Sequence, residues 1–223
     1  MTKKRLVFRV LSLWLLLILL SACAKKLENY NRAVYMLVDI SGTYVKEIEQ
    51  ASNIIKVLIR DLNPGDSFTL ARIDSNSFSE KDIILNVTFD RRASHAIRQK
   101  RTIVRKVIKF AKKAKSSRYT DITGGVLQGV EYLLRNNAAR KTLIIFSDLK
   151  EDLRKGNVRQ RKIEFDGIKV VSINVTKLKS DARDPTRYFK RIKYWRDLVI
   201  NGKGLWKMVA ASERGKIVSV VLE

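Results

Sequence analysis

Two prolines, ten glycines and a single cysteine in 223 residues leave little material for several common architectures. So few prolines and glycines exclude collagen-like repeats and argue against long flexible linkers. The lone Cys23 excludes an intramolecular disulfide and any cysteine-based zinc finger. Acidic residues are scarce too, with 22 Asp and Glu against 46 Lys and Arg, a formal net charge of +24. That excess directs the chain towards anionic partners or surfaces without choosing a fold. What is plentiful is apolar material: 45% hydrophobic residues beside 30% charged ones can bury a substantial core. A disordered chain is thereby excluded, and one compact α/β-sized domain is expected.

The first residues have their own logic. Lys3, Lys4, Arg5 and Arg9 precede an apolar stretch over residues 10–20, which leads directly into Ser21-Ala22-Cys23. The stretch is too short to cross a bilayer as a helix, and its small-residue exit is that of a signal peptide. Leu20-Ser21-Ala22-Cys23 resembles a bacterial lipobox. The resemblance implies a diacylglycerol on the Cys23 thiol and removal of residues 1–22; an uncleaved inner-membrane anchor is the alternative. Residues 23–31 would form a lipidated tether and residues 32–223 the folded domain. A lipid chain with clustered cations supplies the two signals that stable membrane attachment requires. The expected location is the bacterial cell envelope, lipid-anchored to a membrane and facing the periplasm.

Beyond the tether, residues 33–38 are almost continuously apolar, as in a strand buried on both faces, and end at Asp39. Apolar residues then recur every three or four positions from Tyr44 to Leu62, an amphipathic helix closed by Asn63-Pro64-Gly65. Strands over 67–73 and 83–89 are joined by a segment too short for a crossover helix, so they should pair antiparallel. A long basic helix over 93–115 is interrupted at 116–121, and another follows to about residue 134. Strands are expected at 141–146 and 169–175, and Asp184-Pro185 marks a helix start. Residues 205–211 read as a short helix and 217–222 as a closing strand. Met36, Met208 and the aromatics of 188–206 read as packing residues, and His95 as a surface residue. The sum is a doubly wound, mostly parallel six-stranded sheet with one antiparallel edge hairpin and helices on both faces, a Rossmann-like α/β class.

Three loops carry the chemistry. Asp39-Ile40-Ser41-Gly42-Thr43 follows the first strand, Thr120-Asp121-Ile122-Thr123 opens a helix, and Ser147-Asp148 ends another strand. In an open parallel sheet, ligands bind where strands present their carboxyl ends. Carboxylate and hydroxyl oxygens without His or Cys form a hard donor set, suited to magnesium. Asp39-x-Ser41-x-Thr43, the distant Thr120 and Asp148 resemble the metal-ion-dependent adhesion site of a von Willebrand factor A-type domain. The resemblance covers residues 32–223, with Thr43 standing where serine is commoner. It implies direct coordination by Ser41, Thr43 and, in at least one state, Thr120 rather than Thr123. It also implies that Asp39 and Asp148 act largely through water, and that a partner's acidic side chain completes the shell around Mg2+ or another hard divalent cation. On that basis no catalysis is expected. The same Asp39-x-Ser41 stretch is similar to the nucleophile motif of haloacid-dehalogenase phosphohydrolases, but Ser41 stands where their acid/base aspartate belongs.

Half of the net charge sits in residues 91–118, which hold twelve Lys and Arg and no Asp or Glu. Arg98, Arg101, Arg105, Lys106, Lys109, Lys112 and Lys113 should give the long helix a positive face for an anionic membrane surface or an acidic protein segment. Nucleic acid is disfavoured by the export signal. A metal-free scaffold held to anionic membrane through this helix is the remaining alternative.

Overall fold

The structure is a computed structural model that describes residues 31–42, 44–75, 77–154 and 162–223. The proposed signal segment, Cys23, nearly all of the tether, and Thr43 lie outside the described residues.

Six strands form one sheet: β1 (Arg32–Asp39), β2 (Ser67–Ile73), β3 (Ile83–Thr88), β4 (Arg140–Phe146), β5 (Lys169–Ile173) and β6 (Leu205–Val209). Among the described residues five α-helices accompany them: α1 (Ile48–Asp61), α2 (Ala93–Lys113), α3 (Ile122–Arg135), α4 (Thr186–Asn201) and α5 (Arg214–Leu222). The sheet order is β3-β2-β1-β4-β5-β6, and only β2 and β3 pair antiparallel. The chain order therefore reverses direction across β1 and β4, the place where a doubly wound sheet leaves a crevice between diverging loops.

The two-residue alternation of β1 divides the core. Val34, Met36 and Val38 face a cluster with Ile55 and Leu58 of α1, Ile103 and Val107 of α2, and Ile217 and Val221 of α5. Ala33, Tyr35 and Leu37 face the opposite cluster with Val126 and Leu133 of α3 and Trp195 and Val199 of α4. Burial of both faces explains why β1 is continuously apolar. On the second face α3 lies unusually close to the sheet, because Gly129 presents no side chain. A Cβ there would stand 2.7 Å from Leu143 Cδ1 and 3.0 Å from Tyr35 Cδ1.

Two expected elements exchange character. Residues 205–209 form β6, parallel to β5 in the register Lys169↔Leu205 to Ile173↔Val209. The run Ile217-Val218-Ser219-Val220-Val221-Leu222 is helical in α5. Its β-branched residues favour a strand when considered locally, yet Ile217, Val221 and Leu222 form the buried face of a helix. Thr142 donates its hydroxyl proton to the Val221 carbonyl at 3.1 Å, and Lys169 Nζ reaches the Val220 carbonyl at 2.9 Å. Tertiary contact has overridden local preference. Met208 is 45% exposed, and Phe189 and Tyr194 are exposed as well, so these three do not fill the core; Trp195 and Met36 do. His95 lies at the surface near the start of α2, as expected.

Candidate metal centre

Parallel pairing of β1 with β4 in the register Val38↔Phe146 sets Asp39 beside Ser147 at the carboxyl edge of the sheet. Ser147 donates its hydroxyl proton to Asp39 Oδ2 at 2.7 Å, and the Ser41 backbone N–H donates to Oδ1 at 2.8 Å. The interrupting segment between α2 and α3 is laced to both strand-end loops. Ser117 donates its N–H to the Ile40 carbonyl and accepts from the Gly42 N–H, each at 3.0 Å. Thr120 and Asp152 exchange backbone hydrogen bonds of 2.8 and 3.0 Å. The structure thus brings Asp39, Ser41, Thr120 and Asp148 to one edge, on three adjoining loops.

Capping chemistry fixes Thr120 in place. Asp121 is the N-cap of α3, accepting from Gly124 N–H at 2.8 Å and from Ser77 N–H at 3.2 Å. Thr123, the second residue of the helix, commits its N–H and hydroxyl to Glu151 at 2.6 and 3.0 Å. No hydrogen bond among the described residues engages the Thr120 hydroxyl, although Thr120 is buried.

Desolvation dominates the electrostatics of both carboxylates. Asp39 is 1% exposed, and burial pushes its pKa up from 3.8 to about 6. Hydrogen bonds from Ser41 and Ser147 pull it back, and neighbouring Asp148 pushes it up further. Burial also raises Asp148, against the Lys150 backbone N–H at 2.7 Å and the charge of Arg191. Among the described residues, neither carboxylate forms an ion pair with Lys or Arg. Those residues also contain no group of three His, Cys, Asp or Glu side chains placed to hold a metal. A metal here would depend on hydroxyl and water oxygens as well as carboxylates. The donors present fit a hard divalent cation, whose charge would offset the desolvation of Asp39 and Asp148.

Several supporting residues escaped the sequence reading. Arg191 of α4 donates from Nε to the Asp148 carbonyl at 2.8 Å and from a terminal nitrogen to buried Asp181 at 2.9 Å. Trp195 Nε1 donates to the Leu149 carbonyl at 3.0 Å, holding a loop in which Leu149 has φ +64°. Helical spacing marked Trp195 as core but gave no sign that α4 grips the β4 exit. The Ser147-Asp148 strand end carries no sequence sign of the bond from Ser147 to Asp39.

The expected basic face is present on α2. Arg98, Arg101, Arg105, Lys106, Lys109, Lys112 and Lys113 are all exposed, and no ion pair among the described residues engages them. Lys100 differs from its neighbours: its ammonium donates to the carbonyls of Arg60 and Leu62 at the end of α1 and lies 5.7 Å from the centre of the Phe89 ring.

No protein-family model matches the sequence, and no curated protein matches it significantly. Solved structures do. A von Willebrand factor type A protein from Catenulispora acidiphila superposes with a TM-score of 0.54 at 12% identity, over 87% of this chain and 41% of its own. The conserved hypothetical protein BatB from Bacteroides thetaiotaomicron gives 0.52 at 15% identity, over 86% and 97%. The manganese-loaded TRAP protein of Plasmodium vivax gives 0.50 at 17%, over 86% and 72%.

Proposed function

For a chain that carries the von Willebrand factor A-type fold, we propose a non-catalytic binding role. Its cation site, formed by Asp39, Ser41, Thr120 and Asp148 with Thr43 as a further donor, captures an acidic side chain of a partner protein. The observation that carries this reading is the pair of carboxylates at the sheet edge, Asp39 buried and Asp148 partly buried, both raised in pKa by desolvation and without an ion pair to Lys or Arg among the described residues. Manganese in the TRAP protein, which has a similar fold, supports a divalent cation in general; magnesium is the proposed ion here. Such an ion supplies charge and one exchangeable position. The chain's own residues fix the oxygens: Ser147 and the Ser41 N–H orient Asp39, the Ser117 and Thr120 backbone bonds hold the middle loop, and Arg191 holds the main chain at Asp148. Phosphoryl transfer through Asp39 is disfavoured, because Ser41 stands where an acid/base carboxylate would be needed.

In the same reading Cys23 bears the lipid anchor and the basic face of α2 is the second membrane signal, placing the domain in a bacterial cell envelope. Titration of magnesium into the detergent-solubilised chain in a calorimeter tests the site. A saturable heat that disappears in Asp39→Ala is expected. No heat from the folded wild-type chain would remove the metal from the account.

A further inference from the structure

We propose that an open groove of about 550 Å³ beside the metal centre holds an extended, acidic stretch of the partner, continuing from the carboxylate that reaches the cation. The inference rests on the function proposed above and adds a second point of contact with its own chemistry. Ile40, Ile84 and Phe110 give the groove an apolar floor, and Lys106, Lys109 and Lys113 from the last two turns of α2 give it a cationic rim.

The spacing of that rim is informative. Positions 106, 109 and 113 share one helix face and span about 10 Å at ~1.5 Å per residue. An extended peptide advances ~3.3 Å per residue and turns alternate side chains to the same side. Three or four residues therefore cover the rim, and two acidic residues at alternate positions share its three ammonium groups. The apolar floor accepts the aliphatic stems of those side chains.

Charge complementarity selects an anion. The groove's one carboxylate, Asp74, is already committed: Oδ1 accepts from the Ser117 hydroxyl and the Ser75 N–H, both at 2.6 Å, and Oδ2 lies 3.5 Å from Arg72 Nε. No ion pair among the described residues engages the three lysines. Continuity with the metal centre comes through Ser117, which lines the groove and bonds to Ile40 and Gly42 on either side of Ser41. A concave, apolar-floored cleft suits a peptide better than a flat headgroup layer. The same helix thus divides its work, with Arg98, Arg101 and Arg105 on its earlier turns left to face lipid.

Fluorescence anisotropy tests this on the full chain in neutral detergent, with a labelled Ser-Glu repeat peptide as probe, in magnesium and in chelator. The variant Lys106→Glu/Lys109→Glu/Lys113→Glu is compared with Arg98→Glu/Arg101→Glu/Arg105→Glu, which changes the charge equally away from the groove. The groove variant should weaken binding by about tenfold in both buffers, and the control by less than about threefold. Circular dichroism checks folding; if the triple variant unfolds, Lys109→Gln alone should still weaken the peptide by about threefold. Equal losses in both triple variants, or no binding by wild type, overturn the proposal. So does a groove variant that loses phosphatidylglycerol vesicles while keeping the peptide. Binding that ignores magnesium but needs the groove lysines refutes the metal-dependent reading and supports the groove. Magnesium-dependent binding that ignores those lysines does the reverse.

Discussion

Asp39 is buried at a strand end with two hydrogen bonds and, among the described residues, no ion pair to a cationic side chain, so its ionised form is held at a cost. Because its folded pKa is raised to about 6 from 3.8, the folded state binds the proton more tightly than the unfolded state. Stability from this group is complete below about pH 4 and is lost as pH rises through about 6. The loss is on the order of 3 kcal/mol at most. In chelator, urea unfolding should show Asp39→Asn matching wild type near pH 4 and exceeding it at pH 7. Magnesium at pH 7 should stabilise wild type and leave the variant unchanged. A wild-type minus variant difference that does not change with pH would refute this assignment of the cost. Residue type, with a strand end for Asp39, Ser41 and Asp148 and a helix start for Thr120, makes these four legible as candidates in the sequence. The roles of Ser147 and Arg191 are not, because a hydrogen bond between loops over a hundred residues apart, or a helix reaching back to a loop carbonyl, leaves no periodic trace.

Among the elements, α3 shows how closely helix and sheet can approach when one residue lacks a side chain. Gly129→Val would drive methyl groups into Leu143 and Tyr35, and denaturant titration should show a loss of about 1–3 kcal/mol. A neutral outcome would mean that α3 shifts outward freely, and magnesium affinity should then fall, since Asp121 at its start fixes Thr120. The strands β1 to β5 and helices α1 to α4 are readable from periodicity, because each buries a face that sequence alone reveals. The exchange between β6 and α5 is not. Leu205-Trp206-Lys207-Met208-Val209 is too short to display a period, and Ile217–Leu222 has β-branched residues whose fate is decided by the surface of α1, β4 and β6 they cover. The six-strand count is right, although its last member lies elsewhere.

The whole molecule carries +24, and among the described residues no Lys or Arg of α2 forms an ion pair. Arg101, Arg105, Lys109 and Lys113 follow one another at four-residue intervals, and each like-charge pair destabilises by a few tenths of a kcal/mol. Raising salt from ~10 mM to ~150 mM shortens the screening length from about 30 Å to about 8 Å. Urea unfolding should accordingly show stability rising with sodium chloride, by on the order of 1 kcal/mol. A fall would mean that attractive pairs dominate the surface. The sheet also has a margin at β6, beyond which no strand lies among the described residues, and Leu205 and Met208 are exposed on either side of Lys207. An open strand with apolar side chains invites another copy to dock along it and extend the ribbon. Here two approaching copies would bring Lys203 and Lys207 towards their counterparts, and that like-charge repulsion opposes edge-to-edge pairing.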